Sequence, residues 1–378
     1  MFNHRKKIVR PIDWIKKPAE DLLKFVGSMV YWLFKPFCTK GVRPDSQYNR
    51  FLLIRRNRLG DAVNILPLIQ LLRQQYPQAV IDVLSNPYNQ YIFEVSCAVD
   101  SIYTVPERHF KNRYLVCLHP EMKRLKKQEK YDFVIGATGA YSSATAWLAF
   151  CSPGKNKVGV ISRKNQIMNL IYNIRIPQDS INQHEHQVNK IGFLAKYSNI
   201  VGADSHMPSP KLDKLPYSQI KHSVALCPIT NRRESNWSAQ NWRLLSQLLS
   251  ESNVQYQWIG EKPSNSDGGV THAKDTREFI ELFTQFDIVV CIEGGVSHIA
   301  PAIGCDTVVI SGVNIAESWM PWSKKSVLFE QTKAVNHIKP QYIVDQILSK
   351  INKGQFLEKN SAMLNKSLHG EDGHVGNA

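Results

Sequence analysis

The sequence predicts an α/β protein built from two doubly wound halves, each a parallel sheet with helices on both faces. Three observations carry this reading. Apolar runs of strand length alternate with amphipathic runs of helix length. That alternation stops in one polar, proline-bearing stretch and then restarts. Each half also has a turn of unusual composition directly after one of its strands. At 378 residues, 43% of them hydrophobic, the chain has enough length and apolar content for two cores.

Ahead of the alternation lies an arm, residues 1–48. Up to residue 50 it carries Arg5, Lys6, Lys7, Arg10, Lys16, Lys17, Lys24, Lys35, Lys40, Arg43 and Arg50 against only Asp13, Glu20, Asp21 and Asp45. Its apolar run, LLKFVGSMVYWLFKPF, is interrupted by Lys24 and closed by Lys35 and Pro36. A spanning helix needs about 20 apolar residues, so this run is too short. A cleaved signal is disfavoured too, because the run starts late and no small-x-small site follows it. The expectation is an interfacial helix held to an anionic membrane surface by its lysines and by Trp14, Trp32 and Phe34. An extra helix docked on the protein's own surface is the alternative.

The first domain is expected over 49–205. RFLLIRR reads as a buried strand, LPLIQLLRQQYP as a helix stopped at Tyr76-Pro77, and AVIDVLS as the next strand. YDFVIGAT and KVGVIS read as further strands, and a helix follows Gln187. The break spans 202–222, polar and with three prolines, and supplies a linker over 206–222. The second domain, 223–353, restarts with strand SVALCPI, a helix from about Asn241 to Glu251 and strand VQYQWIG. Helix TREFIELFTQF, strand DIVVCI, a helix near 297–303 and strand TVVISG complete it. A ligand is expected between the halves, at the carboxyl ends of their strands. The tail, 354–378, is polar and glycine-bearing and is expected to be disordered.

Composition narrows the chemistry. Lys plus Arg exceed Asp plus Glu by 47 − 32 = 15, which points to an anionic partner: membrane surface, nucleic acid or phosphorylated substrate. No nucleic-acid-binding motif or stacking signature accompanies the charge, so nucleic acid is not expected. The seven cysteines, at 38, 97, 117, 151, 227, 291 and 305, form no close pair and no Cys-x-x-Cys. They suit a reducing compartment, most of them as small apolar residues. No Cys, His and carboxylate cluster has metal-ligand spacing, so no structural zinc is expected.

The first informative turn is NRLGD, between the strand at 50–56 and the helix at 64–75. Asp61 sits there as a helix cap or as a reactive carboxylate. Pro67 favours the second, since a helix begun at Asp61 would carry a proline beyond its first turn. A regular helix starting nearer Pro67 leaves Asp61 in the turn. The second turn, CIEGGVSHIAPAIG, runs from a strand into Glu293, Gly294 and Gly295, with Ser297, His298 and Ala300 following. Successive glycines at a helix start expose backbone N–H groups to an anion such as a diphosphate. His298 alone reads more often as a surface or packing residue than as a ligand-binding one.

Gly60-Asp61 followed by Pro67, together with Gly295-x-x-His298-x-Ala300, resembles the bacterial heptosyltransferases of lipopolysaccharide core assembly, family nine of the glycosyltransferases. The resemblance runs from about residue 50 to 350 and leaves out the arm and the tail. It implies the GT-B architecture: two Rossmann-like doubly wound domains facing each other across a cleft, acceptor-binding first and donor-binding second. It also implies inverting, metal-independent transfer from a nucleotide-activated sugar, typically ADP-heptose, to the Kdo-lipid A inner core. No cofactor is implied, because the nucleotide-sugar is a substrate. Asp61 matches the family's proposed base, and Gly294, Gly295 and His298 match its diphosphate turn. Glu293 stands where the family usually has Asp. The loop PITNRRESNW matches a donor-binding loop with Thr230 and Asn231 facing phosphate, and Glu261 is a weaker match to a ribose-binding carboxylate. The family's lysine in that loop is replaced by Ser235, so Arg232 or Arg233 compensates, or else donor or activity differs.

Arg55, Arg56 and Arg58, beside Asp61, and the lysine-rich stretch 108–130 are then candidates for the carboxylates and phosphates of an anionic lipid-linked acceptor. A solvated helix face accounts equally for 123–130. The leading expectation is a glycosyltransferase in the cytoplasm, peripherally attached to the inner membrane. A nicotinamide or flavin enzyme is disfavoured, since no Gly-x-Gly-x-x-Gly follows the first strand. A catalytically silent nucleotide- or lipid-binding scaffold is the third class.

Overall fold

A computed structural model of the chain describes residues 47–106, 116–164, 167–215, 220–230 and 232–352. The basic arm up to residue 46, the tail, residues 107–115 of the lysine-rich stretch and Asn231 lie outside them. The chain divides into two compact units between Pro208 and Ser209.

In the first unit the strands are β1 Arg50–Ile54, β2 Val80–Ser85, β3 Ser101–Thr104, β4 Tyr131–Gly136, β5 Gly154–Ile161 and β6 Ile174–Pro177. They lie in the order β3-β2-β1-β4-β5-β6, every pair parallel. The helices are α1 Leu59–Val63, α2 Leu66–Gln75, α3 Gln90–Glu94, α4 Pro120–Lys126, α5 Ser143–Cys151 and α6 Gln187–Tyr197. β1 is central, which is why Phe51, Leu52, Leu53 and Ile54 are buried in succession rather than alternating. Rings of Tyr48, Phe51, Tyr76 and Phe133 pack together, with Tyr48 edge-on to Phe133 at 4.7 Å between centroids. A further cluster joins Leu52, Ile54 and Tyr131 to Met122 and Leu125 of α4 and to Ala146 and Leu148 of α5.

The second unit repeats the plan with β7 Ile220–Cys227, α7 Ala239–Glu251, β8 Gln255–Ile259, β9 Val270–Thr271, α8 Thr276–Leu282, β10 Phe286–Ile292, α9 Gly295–Ile303, β11 Asp306–Ser311 and β12 Ser326–Glu330. A last helix, α10, covers 340–352. Read from its other edge, the sheet order β12-β11-β10-β7-β8-β9 is the same winding, again all parallel. Trp237, Trp242 and Trp258 form the aromatic centre of its core, at 5.1 and 6.0 Å between successive rings. Ser238 starts α7 as its cap, accepting from the Asn241 N–H at 3.1 Å.

Two expectations are corrected. Asp61 is not in an open turn: a short helix, α1, forms around it, the chain breaks at Asn64 and Ile65, and α2 then starts with Pro67 in its first turn. The proline does bar one continuous helix, as expected, but the residues before it coil separately. The cysteines, expected to suit a reducing compartment with most of them as small apolar residues, include a bonded pair. Cys117 and Cys151 form a disulfide, with Cα atoms 5.6 Å apart, joining the approach to α4 to the end of α5. Their 34-residue separation hides the pairing from a reading of local spacing. Among the described residues no helix is long and apolar enough to cross a membrane.

Candidate active site

In this winding order the connections from the first and fourth strands of a unit leave toward opposite faces, opening a crevice at their carboxyl ends. Both informative turns lie at such a crevice, one in each unit.

In the first unit the chain leaves β1 through Arg55, whose N–H still donates to Leu84 O at 3.0 Å. Arg55 is 3% exposed, and its guanidinium spans the crevice. Nη1 donates to Ala137 O, just past β4, at 2.8 Å, and Nη2 donates to Asp61 Oδ1 at 2.5 Å. The other Asp61 oxygen, Oδ2, accepts from the Arg58 N–H at 3.3 Å. Asp61 thus stands in the first turn of α1 with its side chain 12% exposed. Of the three arginines expected to face an acceptor, Arg58 is exposed and Arg56 partly exposed, whereas Arg55 is turned inward. The connecting loop is fastened from β2 and beyond: Ser85 Oγ donates to Arg55 O at 2.6 Å, and Asn86 and Asn89 donate through Nδ2 to Asn57 O. These anchors carry no sequence signature of their own.

In the second unit β10 runs into Glu293, whose N–H donates to Ile310 O at 3.0 Å. Its carboxylate lies in the crevice, where Oε1 accepts from Ser235 Oγ at 3.3 Å and lies 3.2 Å from Arg232 Nε. Ser235 is fully buried, and its Oγ accepts from the Gly312 N–H at 3.1 Å. Gly312 has to be glycine, because a Cβ there would run into the backbone carbonyl of Glu234. Gly294 has φ 149°, a conformation open to glycine, and a Cβ there would meet no atom within 4 Å. Its N–H donates to Ser297 Oγ at 3.3 Å. The N–H groups opening α9 follow, with buried His298 in the first turn. Such a helix start favours an anion through its unpaired N–H groups and its dipole.

Arg232, Ser235, Glu293 and Gly294 therefore come together, and His298 shares the turn. Thr230 stands close by, its Oγ1 accepting from the Arg232 N–H at 3.0 Å. Glu261 is exposed past the end of β8, beyond Gly260 with φ 81°. Cys227, the last residue of β7, and Cys291, next to last in β10, lie in the two strands that flank this crevice. Burial pushes the Cys227 thiol up to about 12 and the Cys291 thiol well above its ordinary range, so both are neutral packing groups. Among the described residues no group of three or more His, Cys, Asp or Glu could hold a metal ion.

Comparison with known proteins shows the family. The model of glycosyltransferase family 9 (heptosyltransferase) matches residues 121–343. Lipopolysaccharide heptosyltransferase 1 of Escherichia coli (strain K12) is 21% identical over 286 residues, covering 70% of this chain and 88% of the relative. The solved structure of E. coli heptosyltransferase WaaC with ADP superposes with a TM-score of 0.66 at 18% identity, over 80% of this chain and 99% of that one. Its complex with ADP-2-deoxy-2-fluoro heptose gives 0.64 at 18% identity, over 82% and 99%.

Proposed function

The chain belongs to glycosyltransferase family 9, the heptosyltransferase family, and from that premise we propose that it transfers heptose from ADP-heptose to the Kdo-lipid A inner core with inversion and without a metal. The observation that carries the proposal is the Glu293-Gly294-Gly295 turn at the carboxyl end of β10, inside the family match, where a helix start with open space over Gly294 suits a diphosphate. The solved relatives bind ADP and an ADP-heptose analogue, which favours that donor.

In the proposed reaction the acceptor oxygen attacks the anomeric carbon from the face opposite the diphosphate as Asp61 takes its proton. The bond from that carbon to the diphosphate breaks, and ADP leaves with the electron pair. One displacement inverts the configuration. The growing negative charge falls on the N-terminus of α9, Gly295 and His298, with Thr230, Asn231 and Arg232 from the preceding loop. Glu261 is assigned to the ribose. Arg56 and Arg58 are assigned to acceptor phosphates and carboxylates, which Arg binds in bidentate fashion. Residues 1–48 are assigned to the anionic surface of the inner membrane at its cytoplasmic face.

Calorimetric titration with ADP, UDP, GDP and CMP, without added metal, tests the donor assignment. Selective ADP binding is expected, abolished by His298→Ala or Gly295→Val. Selective binding of another nucleotide would keep sugar transfer but change the donor. No nucleotide binding would refute this reading and favour the scaffold, which the buried Ser235 at the lysine position makes the second alternative.

A further inference from the structure

We propose that Arg55 is a positioning residue: its buried guanidinium locks the Asp61 carboxylate across the crevice between β1 and β4, leaving Oδ2 to take the acceptor proton. This rests on the reading of Asp61 as the base. A free aspartate rotates about two side-chain bonds, so neither oxygen is aimed at a substrate. Here Oδ1 is held by a 2.5 Å charge-assisted hydrogen bond, while Oδ2 receives only the 3.3 Å contact from the Arg58 N–H. The weaker-held oxygen is the one a substrate proton can reach. Arg55 itself has little freedom to serve a ligand. Its backbone N–H and carbonyl are tied to Leu84 and Ser85, Nη1 is tied to Ala137 O, and Nε is buried without a hydrogen-bond partner.

The second unit supports this by repeating the arrangement with the charges exchanged. In the first unit the buried member of the ion pair is the arginine, 3% exposed, and the outer member is Asp61, 12% exposed. In the second the buried member is Glu293, 6% exposed, and the outer member is Arg232, 47% exposed. Each crevice holds its outer charge with a buried counter-charge: a carboxylate where a proton must be taken, a cation where a diphosphate must be met. Both charges need a fixed direction, and a planar guanidinium joined to a carboxylate supplies one.

Transfer kinetics at varied acceptor concentration test this with Arg55→Gln, Arg55→Lys, Arg58→Gln and Asp61→Asn. Arg55→Gln is expected to lower kcat by about 10- to 100-fold, the scale of a misplaced catalytic group, with acceptor KM within about twofold. Arg55→Lys keeps the charge but cannot span both partners, so kcat falls again at unchanged KM. Methylguanidine added to Arg55→Ala restores part of kcat. Arg58→Gln shows the opposite pattern, a raised acceptor KM. Circular dichroism and thermal unfolding of each variant confirm that its first unit is folded, and ADP titration that its second unit is intact. If Arg55→Gln or, should that variant fail to fold, Arg55→Lys raises acceptor KM at preserved kcat, Arg55 binds the acceptor and the proposal is wrong. Wild-type kinetics in both, with Asp61→Asn inactive, would also overturn it while leaving the base in place. Wild-type turnover by Asp61→Asn would instead remove the base reading.

Discussion

Of the two carboxylates that end up in the crevices, one points outward and the other is buried, and their chemistry divides accordingly. Asp61 keeps an oxygen near the surface, so Asp61→Asn, which preserves shape but removes the proton acceptor, is expected to cut kcat by at least about 100-fold, the low end for a general base. ADP titration should be unchanged in that variant. Gly312→Ala is expected to displace the 232–236 loop, because its Cβ collides with the Glu234 carbonyl, and to weaken ADP binding by about 10-fold or more. Unaltered ADP affinity would show that this loop does not face the donor. At this scale the sequence was half legible. Asp61 and the Gly294-Gly295 turn stood out because they follow strands. Arg55 could not be told from Arg56 and Arg58, because its burial depends on the direction β1 gives it and on Ala137, 82 residues away.

Among elements, legibility followed position in the sheet. The eight strands with neighbours on both sides, β1, β2, β4, β5, β7, β8, β10 and β11, were all read, most of them from apolar runs left by burial on both faces, whereas β8 and the start of β5 carry polar residues. The four edge strands, β3, β6, β9 and β12, were missed. They are short or only partly buried, as SIYT, IRIP, VT and SVLFE show, and they present no such run. Helix α5, SATAWLAFC, was missed for the converse reason: nearly all of it is apolar, so it has no polar face to mark a helical period. It also carries Cys151, and its bond to Cys117 ties two neighbouring helical segments of one unit together. Reducing that bond is expected to destabilise the first unit by about 4 kcal/mol, the chain-entropy scale for a loop of this length. Denaturant unfolding with and without a phosphine reductant measures it, and coincident curves would mean that the bond does not form in solution.

For the whole molecule, the charge of +15 and the fold meet in one expectation. If the acceptor is lipid-linked, as proposed, the enzyme works at a membrane surface, and the proposal assigns the basic, aromatic arm to hold it there. Deleting residues 1–45 is expected to reduce partitioning onto anionic vesicles several-fold, with the remaining binding falling as salt is raised, while ADP titration is unaffected. Partitioning equal to that of the full chain would refute the arm as an anchor. The repeat of one winding in both units was legible from the restart of the strand and helix pattern after the prolines. The exchange of charge between the two crevices was not: Arg55 and Asp61 lie in one turn, but Arg232 and Glu293 meet only when the loops after β7 and β10 close on one another.

The central proposal, inverting heptosyl transfer with Asp61 as base, is tested most directly by incubating ADP-heptose and Kdo-lipid A with the full chain and with Asp61→Asn, and determining the anomeric configuration of any product by NMR. The expected result is a heptosylated product of inverted configuration from the wild type, with turnover lowered at least about 100-fold in the variant. A product of retained configuration, or equal turnover by the two proteins, would contradict it.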